Sequence, residues 1–318
     1  MTAKSRARTG ISSCLLGEQV RYDGGHKRDA FLVDLFGKYV EWVPVCPEME
    51  MGLGVPRPNL RLIDQDGDIR MIAPATGTNH TAGMNVFLRQ RMRQLEGEHL
   101  AGFVFKRSSP SCGLERVRVY KNGVPAGRGQ GLFAAAITTQ FPTLPVEEEG
   151  RLNDPRLREN FVSRVFAYQR WTDTHKQRFT RRALMEFHAT HKYLLLAHNQ
   201  QGMRRIGELL ARPQEFSTTS ELATAYWKGF SDVMKRTPSR RNHTNALQHI
   251  AGYFSDRLDI GDRQELTSAI QSYRLGNVPL IAPITLLRHY VRKLGEPYLE
   301  TQVYLNPHPD ELMLLNQL

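Results

Sequence analysis

The hydrophobic pattern of this 318-residue chain changes its period near residue 145. Before that point, short apolar runs punctuated by Gly and Pro alternate with segments of helical periodicity, which is typical of a mostly parallel sheet covered by helices. After it, apolar residues recur with a period of about 3.6. We therefore expect two domains: an α/β, Rossmann-like domain with helices on both faces of its sheet over residues 1–145, and an all-α domain over residues 146–318.

The same pattern predicts individual elements. Strands are expected over residues 9–13, 39–45, 69–73 and 100–105, and helices over 30–39, 85–98 and 132–141. The stretch 141–150 has two prolines, an acidic run and a glycine, so we expect a linker there. In the second half, Pro155 after Asp154 and the capping-box spacing of Thr218 and Glu221 predict helix starts. Six or seven helices are expected.

The chain is basic, with a net charge of +11. Residues 1–145 contain 19 Lys and Arg against 13 Asp and Glu, and the remainder contains 24 against 19, so both halves suit a polyanionic partner. No stretch approaches the roughly 18–20 apolar residues that span a membrane, and the first residues show no apolar run with a cleavage site. We expect a cytoplasmic protein with no membrane and no obligatory protein partner.

Each of the three cysteines, Cys14, Cys46 and Cys112, lies just after a predicted strand in a stretch rich in Gly, Pro or Ser. Ligands of open α/β sheets bind beyond the carboxyl ends of the strands, so the three thiols can share one site. Ordinary buried thiols are the open alternative. Three thiolates suit an iron–sulfur cluster or zinc, but structural zinc usually takes four ligands, often from CxxC pairs, which the chain lacks.

Three ordered motifs resemble the signatures of the thiouracil desulfidase family over about residues 8–142: SSCLLGEQVRYDGG, VPVCPEMEMGLGVPRP and GFVFKRSSPSCGLERVRVY. The second half resembles a helical domain that also occurs alone, through FHATHKYLLLAHNQ, MRRIGELLA and YLETQVYLNPHPDELMLLN. The fused architecture resembles desulfidases that act on 4-thiouridine in tRNA. The resemblance implies that Cys14, Cys46 and Cys112 hold a [4Fe-4S] cluster whose open iron binds the substrate sulfur.

The resemblance also implies catalytic roles for Glu48 and Ser109, with Ser111 as a rival for the serine role. Glu48 follows Cys46 by two residues, where a carboxylate can move protons to or from an attacking water, although a solvated loop carboxylate is the alternative. Serines in turns are often structural, and that interpretation stays open for both. We expect Ser111 to bind substrate.

Four further features are candidates for substrate binding. Tyr22 can stack on a base, while Asp23 either binds the ring or closes an Asp-Gly turn. Lys106, with Arg107, can neutralise a nucleotide phosphate. The glycines of 127–131 precede a predicted helix whose first amides favour anions, or form only a flexible turn.

The helical half contains histidines and basic segments without a catalytic pattern. His188, His191 and His198 lack the HExxH spacing of zinc proteases, so packing or surface roles are expected. Segments 226–228 and 235–243 mix basic with aromatic or polar residues, which suits either a phosphate backbone or a solvated basic face.

The leading hypothesis is a [4Fe-4S]-dependent desulfidase that converts 4-thiouridine in tRNA to uridine and sulfide. One alternative acts on free thiouracil or a thiolated nucleotide. Another is a non-enzymatic iron–sulfur protein that binds RNA or senses redox state. An enzyme that inserts sulfur is the least favoured, because neither CxxxCxxC nor a P-loop is present.

Overall fold

The computed structural model describes residues 6–175 and 180–316. The first five residues, for which the sequence predicts no cleaved signal segment, lie outside the described residues. The chain forms two compact units, Met1–Asp154 and Pro155–Leu318. This division falls later than the boundary expected at residue 145. The reason is that residues just after 145 form a strand of the first unit.

The first unit has nine strands and three α-helices within its described residues. In chain order they are β1 (Ala7–Ser12), β2 (Val40–Val45), α1 (Pro47–Glu50), β3 (Arg61–Gln65), β4 (Asp68–Ala73), β5 (Thr78–Asn79), α2 (Thr81–Gly97), β6 (Gly102–Phe105), β7 (Val117–Lys121), β8 (Val124–Gly129), α3 (Leu132–Gln140) and β9 (Val146–Glu148).

The first sheet is entirely parallel, with strand order β2-β1-β6-β9. Strand β1 lies between β2 and β6, and its last residue, Ser12, is opposite Val45 at the end of β2. Strand β9 pairs with β6 from Phe103 to Phe105, so the stretch expected to be a linker contributes an edge strand. The α/β class expected from the sequence is confirmed.

A second sheet, which the sequence analysis missed, has strand order β5-β4-β3-β7-β8. Its neighbouring strands are antiparallel except β3 and β7. The stretch predicted as strand 69–73 belongs here as β4. The helix predicted over 30–39 is irregular, with a π-helical turn at Phe31–Leu35 followed by a 3-10 turn at Phe36–Lys38.

Aromatic packing fixes the first sheet against α3. Phe103 and Phe105 of β6 stack with ring centroids 4.3 Å apart, and Phe133 of α3 meets both rings edge-on. All three side chains are fully buried. Gly10 of β1 is required here, because a Cβ at that position would lie 2.1 Å from the Phe103 ring.

The second unit is helical, which confirms the all-α expectation. Its described residues form seven longer helices and one short one: α4 (Pro155–His175), α5 (Arg181–His198), α6 (Gln200–Ala211), α7 (Thr219–Met234), α8 (Arg240–Ala251), α9 (Ile260–Leu275), α10 (Ile281–Leu294) and α11 (Pro297–Glu300). In the described part of the chain, no helix combines the length and apolarity needed to cross a membrane.

Side-chain caps set the starts of five of these helices, α5 to α9. Helix α4 begins at Pro155, as predicted. The Thr218 hydroxyl accepts the Glu221 amide at 3.1 Å, so Thr218 caps α7 as predicted, while the Glu221 carboxylate accepts the amide of Ser217, one residue before the cap, at 3.0 Å. Such caps each contribute about 1 kcal/mol to helix stability.

The histidines of α5 pack inside the helical unit, as expected. His191 Nδ1 contacts the Phe187 carbonyl at 2.8 Å, and His198 Nδ1 contacts the Arg236 carbonyl at 2.6 Å. His188 Nδ1 lies 3.3 Å from the Tyr226 hydroxyl. Burial lowers the pKa of His191 to about 3 and that of His198 to about 4, because an apolar surrounding disfavours the charged ring.

Acid should therefore destabilise the helical unit. His243 on α8 is also buried, and its pKa is lowered to about 3. In the unfolded chain these histidines bind protons near pH 6.5, whereas in the folded protein they stay neutral at that pH. The free energy of unfolding therefore falls as pH drops below about 6.5. Burial also lowers the pKa of His308 to about 4, so Glu159, whose pKa burial raises to about 7, acts in the opposite direction but is one group against four.

Urea unfolding at several pH values, followed by Trp171 and Trp227 fluorescence in a Trp42→Phe background, measures this dependence. His243→Gln should reduce the slope by up to about 1.4 kcal/mol per pH unit. His249→Gln is the matched control because its side chain is exposed on the same helix. An unchanged slope for His243→Gln would contradict the prediction.

Candidate active site

The parallel register places the three cysteines beyond one edge of the first sheet. Cys14 lies two residues after β1, and Cys46 directly follows β2. Cys112 is in the loop after β6, here called the serine loop (residues 106–115). Because β2, β1 and β6 are adjacent and parallel, their carboxyl ends meet at this edge.

All three cysteines line one cavity of about 350 Å³. This volume is within the range of small-ligand sites in proteins. The other lining residues come from the turns after β1 and β2, from the segment before β3 and from the serine loop: Ser12, Ser13, Val20, Arg21, Tyr22, Lys27, Val45, Pro47, Glu48, Arg57, Asn59, Leu60, Lys106, Arg107, Ser108, Ser109 and Pro110.

The thiols are free and largely buried. Burial raises the pKa of Cys14 to about 11, raises that of Cys46 and raises that of Cys112 well above its ordinary value. The thiols are therefore uncharged at neutral pH until a metal displaces their protons. No group of three or more His, Cys, Asp or Glu within the described residues is arranged to hold a metal ion.

Glu48 is fixed from two sides. Its Oε2 atom accepts hydrogen bonds from Arg57 Nη2 at 2.5 Å and Nε at 3.0 Å. Its Oε1 atom accepts the Ser111 hydroxyl at 2.9 Å. The carboxylate therefore faces the cavity beside Cys46 in one orientation, and it is not a solvated loop side chain.

Arg57 is a site residue that the sequence analysis did not single out. Its side chain is only 4% exposed, and besides Glu48 it donates to the carbonyls of Val20 at 2.9 Å and Gly54 at 2.8 Å. One guanidinium thus joins the turn after β1 to the loop after α1. Arg57 lies in VPRP at the end of the second motif, and this position in the sequence could have marked it as a candidate site residue.

The serine loop assigns different positions to its two candidate serines. Ser109 lines the cavity, and its Oγ accepts the amides of Ser111 at 3.2 Å and Cys112 at 3.1 Å. Ser111 is fully buried behind Glu48. Ser109 therefore shapes the loop that carries Cys112, while Ser111 orients the carboxylate. Their predicted roles in catalysis and substrate binding stay predictions.

Helix α3 supports the serine loop with its first amides. Leu132 donates to the Pro110 carbonyl at 3.1 Å, and Phe133 donates to the Ser111 carbonyl at 3.0 Å. A Cβ on Gly131 would lie 2.5 Å from the Ser111 oxygen, so only glycine fits there. These amides are already bonded, which argues against the anion-binding alternative for the glycine stretch.

The acidic run at β9, residues 147–149, holds the serine loop from the other side. Glu148 Oε1 accepts the Leu114 amide at 2.8 Å. Glu149 accepts Lys106 Nζ at 2.5 Å and the Arg107 amide at 2.7 Å. Lys106 thus lines the cavity with its charge paired to a carboxylate. Residues that the sequence analysis placed in a linker are structural supports of the site.

The turn after Cys14 forms another wall. Tyr22 lines the cavity and is 43% exposed, with the Arg21 guanidinium 5.6 Å from its ring centre. Asp23 does not line the cavity. Its Oδ1 accepts the Gly25 amide at 3.1 Å, as in the Asp-Gly turn alternative. Lys27, which was not singled out from the sequence, also lines the cavity.

Comparison with known proteins assigns the families. Residues 9–149 match the family described as 2-thiouracil desulfurase, and residues 192–309 match the family described as protein of unknown function DUF1722. YbgA of Escherichia coli K12, described as uncharacterized, is 30% identical over 158 residues, which make up 50% of this chain and 94% of YbgA.

A solved structure, that of TudS, is described as a [4Fe-4S]-dependent thiouracil desulfidase. It is 28% identical and covers 47% of this chain and 95% of its own, with a TM-score of 0.38. The first unit thus matches the 2-thiouracil desulfurase family over residues 9–149. The chain belongs to the family of YbgA and joins a 2-thiouracil desulfurase domain to a DUF1722 domain, which confirms the resemblance seen in the sequence.

Removing one partner of the Glu48–Arg57 ion pair should strongly destabilise the first unit. Arg57→Gln leaves a mostly buried carboxylate without its cation, so we expect a loss of about 3 kcal/mol in the free energy of unfolding. Glu41→Gln is the control, since it removes an exposed partner of Arg8 and should cost under about 1 kcal/mol. Urea unfolding measures both, and equal costs would contradict the assignment.

Proposed function

We propose that the chain is a [4Fe-4S]-dependent desulfidase that converts 4-thiouridine in tRNA to uridine and sulfide. The observation that carries the proposal is one cavity lined by all three cysteines and by an oriented carboxylate. Membership of the 2-thiouracil desulfurase family supports a thiolated pyrimidine as substrate. The cytoplasmic location expected from the sequence is part of the proposal.

The cysteine cavity fits the proposed cofactor, which is also the one named for TudS. Each cysteine of such a cluster binds a different iron, so three thiols arranged around a volume suit it better than a single ion. The Sγ atoms of Cys14, Cys46 and Cys112 would hold the cluster. When bound, the cluster supplies one iron without a protein ligand, a Lewis-acid position for an anionic sulfur.

The reaction needs one water and no net oxidation or reduction. The thiocarbonyl carbon gains the water oxygen, its bond to sulfur breaks, and sulfur leaves as hydrogen sulfide with the two protons of the water. Glu48 takes a proton from the water at a carboxylate oxygen and returns it to the leaving sulfur. Tyr22 offers a ring face to the base, and the Ser109 hydroxyl offers a polar contact.

The tRNA part of the proposal depends on charge. Both halves of the chain are basic, and Lys235, Arg236 and Arg241 in the second unit are exposed. Tyr226 and Trp227, in contrast, are buried in the helical core and are not available to stack on bases. The second unit therefore suits phosphate contacts, which are strongly dependent on salt.

Two variants separate cofactor binding from catalysis. Cys46→Ala should lose iron and sulfide-releasing activity together. Glu48→Gln should retain the iron content and absorbance of the wild type while turnover falls by about 100-fold or more, because general acid–base catalysis is lost. Glu18→Gln is the matched control, since this exposed carboxylate lies in the first motif but does not line the cavity.

The measurement is sulfide release from thiolated substrates by anaerobically purified protein, with iron and acid-labile sulfide determined in parallel. Near-normal turnover of Glu48→Gln would remove this residue from the mechanism. A reconstituted cluster without sulfide release on any thiolated pyrimidine would favour a regulator instead of an enzyme.

The substrate assignment predicts different salt responses for large and small substrates. The affinity of the protein for thiolated tRNA should fall on the order of a hundredfold over a roughly fourfold increase in salt if several phosphates are neutralised. The affinity for a thiolated free base should change much less.

A chain that ends after Asp154 retains β9 and should lose activity on tRNA far more than on the free base. Equal losses would mean that the second unit supports the active site instead of binding RNA.

A further inference from the structure

The second sheet has a basic face that lies outside the cysteine cavity. Leu62 of β3 and Val119 of β7 face each other across the two strands, and both are buried. Side chains alternate along a strand, so the residues before and after each of them point to the outer side of the sheet. Arg118 of β7 is exposed, and Arg61 of β3 lies with its guanidinium 4.5 Å from the ring centre of Tyr120. Arg116 is exposed just before β7.

These side chains line a groove of about 350 Å³ that adjoins the cysteine cavity. Its arginines are Arg61, Arg116 and Arg118. The groove and the cysteine cavity share four lining residues: Asn59, Leu60, Ser108 and Pro110. A ligand that fills the cysteine cavity can therefore continue into the groove without leaving the protein surface.

The groove is positive and uncompensated. Of the described residues that line it, none carries a carboxylate. Within the described residues, Arg61, Arg116 and Arg118 form no ion pair, whereas Arg57 and Lys106 in the cysteine cavity are paired with Glu48 and Glu149. Guanidinium groups that are not paired with a carboxylate are well suited to bind phosphate through paired N–H donors.

Two like charges face each other across neighbouring strands of this sheet. Arg118 of β7 lies directly opposite Arg128 of β8 in the antiparallel ladder. Like charges in this position destabilise a sheet. A basic face maintained against its own repulsion suits an anionic ligand that neutralises it.

We propose that this groove binds the phosphodiester groups of the RNA next to the nucleotide whose base enters the cysteine cavity. The inference rests on the proposed function and deepens it, because it gives the catalytic unit its own contact with the polynucleotide. Phosphate contacts position a nucleic acid without reading its sequence. The groove would thus favour a nucleotide within RNA over a free thiolated base.

The test compares two double variants with the same loss of charge. Arg116→Gln/Arg118→Gln removes two groove cations and relieves the repulsion with Arg128. Arg89→Gln/Arg93→Gln removes two exposed arginines of α2 that line neither the groove nor the cysteine cavity. RNA binding is measured by fluorescence anisotropy of labelled, unmodified tRNA over a salt series, together with the melting temperature.

The groove variant should bind tRNA about tenfold more weakly at low salt, since hydrogen bonds to charged groups are lost. The slope of log affinity against log salt should fall by about 1.4, the value for two single-strand phosphate contacts. Its melting temperature should equal or exceed that of the wild type. The α2 variant should retain wild-type binding and slope.

Equal tRNA binding by the two variants would overturn the groove assignment. A loss of binding matched by a lower melting temperature would also overturn it, because the arginines would then support the fold. These readouts do not require turnover, so they are separate from the proposed activity. If sulfide release fails while the groove variant still loses tRNA binding, the desulfidase proposal fails and the phosphate site stands.

Discussion

The parallel pairing of β1 with β2 on one side and β6 on the other is the constraint on which the site depends. It brings the carboxyl ends of three strands to one edge, although their cysteines are far apart in sequence. The close contact of Gly10 with Phe103 keeps β1 and β6 in this arrangement. A shift in this pairing would move the turns that carry Cys14 and Cys112 relative to each other.

Carboxylates hold the loops around this edge in place through hydrogen bonds and ion pairs. Glu48 joins Arg57 to the serine loop, Glu148 holds its far end, and Glu149 binds Lys106 and the Arg107 amide. Glu50 accepts the Cys46 amide at 2.9 Å and pairs with Arg91. Each of these carboxylates accepts hydrogen bonds from neighbouring amides or cations, so the loops around the thiols are held in place, and groups that form a site must be positioned before a ligand arrives.

The sequence predicted the parts of this arrangement that have a strong pattern. Apolar runs located β1, β2 and β6, and the residues that follow them located the cysteines. It missed β8, which contains Pro125 and the exposed Gly127 and Arg128, because an exposed edge strand shows no apolar alternation. It missed β9 because an acidic triplet that pairs at the edge of a sheet has the composition of a linker.

Contacts between distant segments were also beyond the sequence. The position of Arg57 in a Gly/Pro-rich stretch predicts a loop, but only the folded chain shows its guanidinium between Glu48 and the Val20 carbonyl. Similarly, Ser109 and Ser111 are two residues apart in one turn, and nothing in their spacing tells which hydroxyl meets the carboxylate. Such assignments depend on the backbone direction at the end of each strand.

The two units differ in what their polar groups can do. In the second unit, burial lowers the pKa of His191, His198 and His243, and each ring contacts a backbone carbonyl or a tyrosine hydroxyl, so these three are poor proton-transfer groups near neutral pH. In the first unit, thiols, a carboxylate and unpaired guanidiniums meet around two adjoining cavities. These contacts therefore place the groups on which the proposed chemistry depends in the first unit.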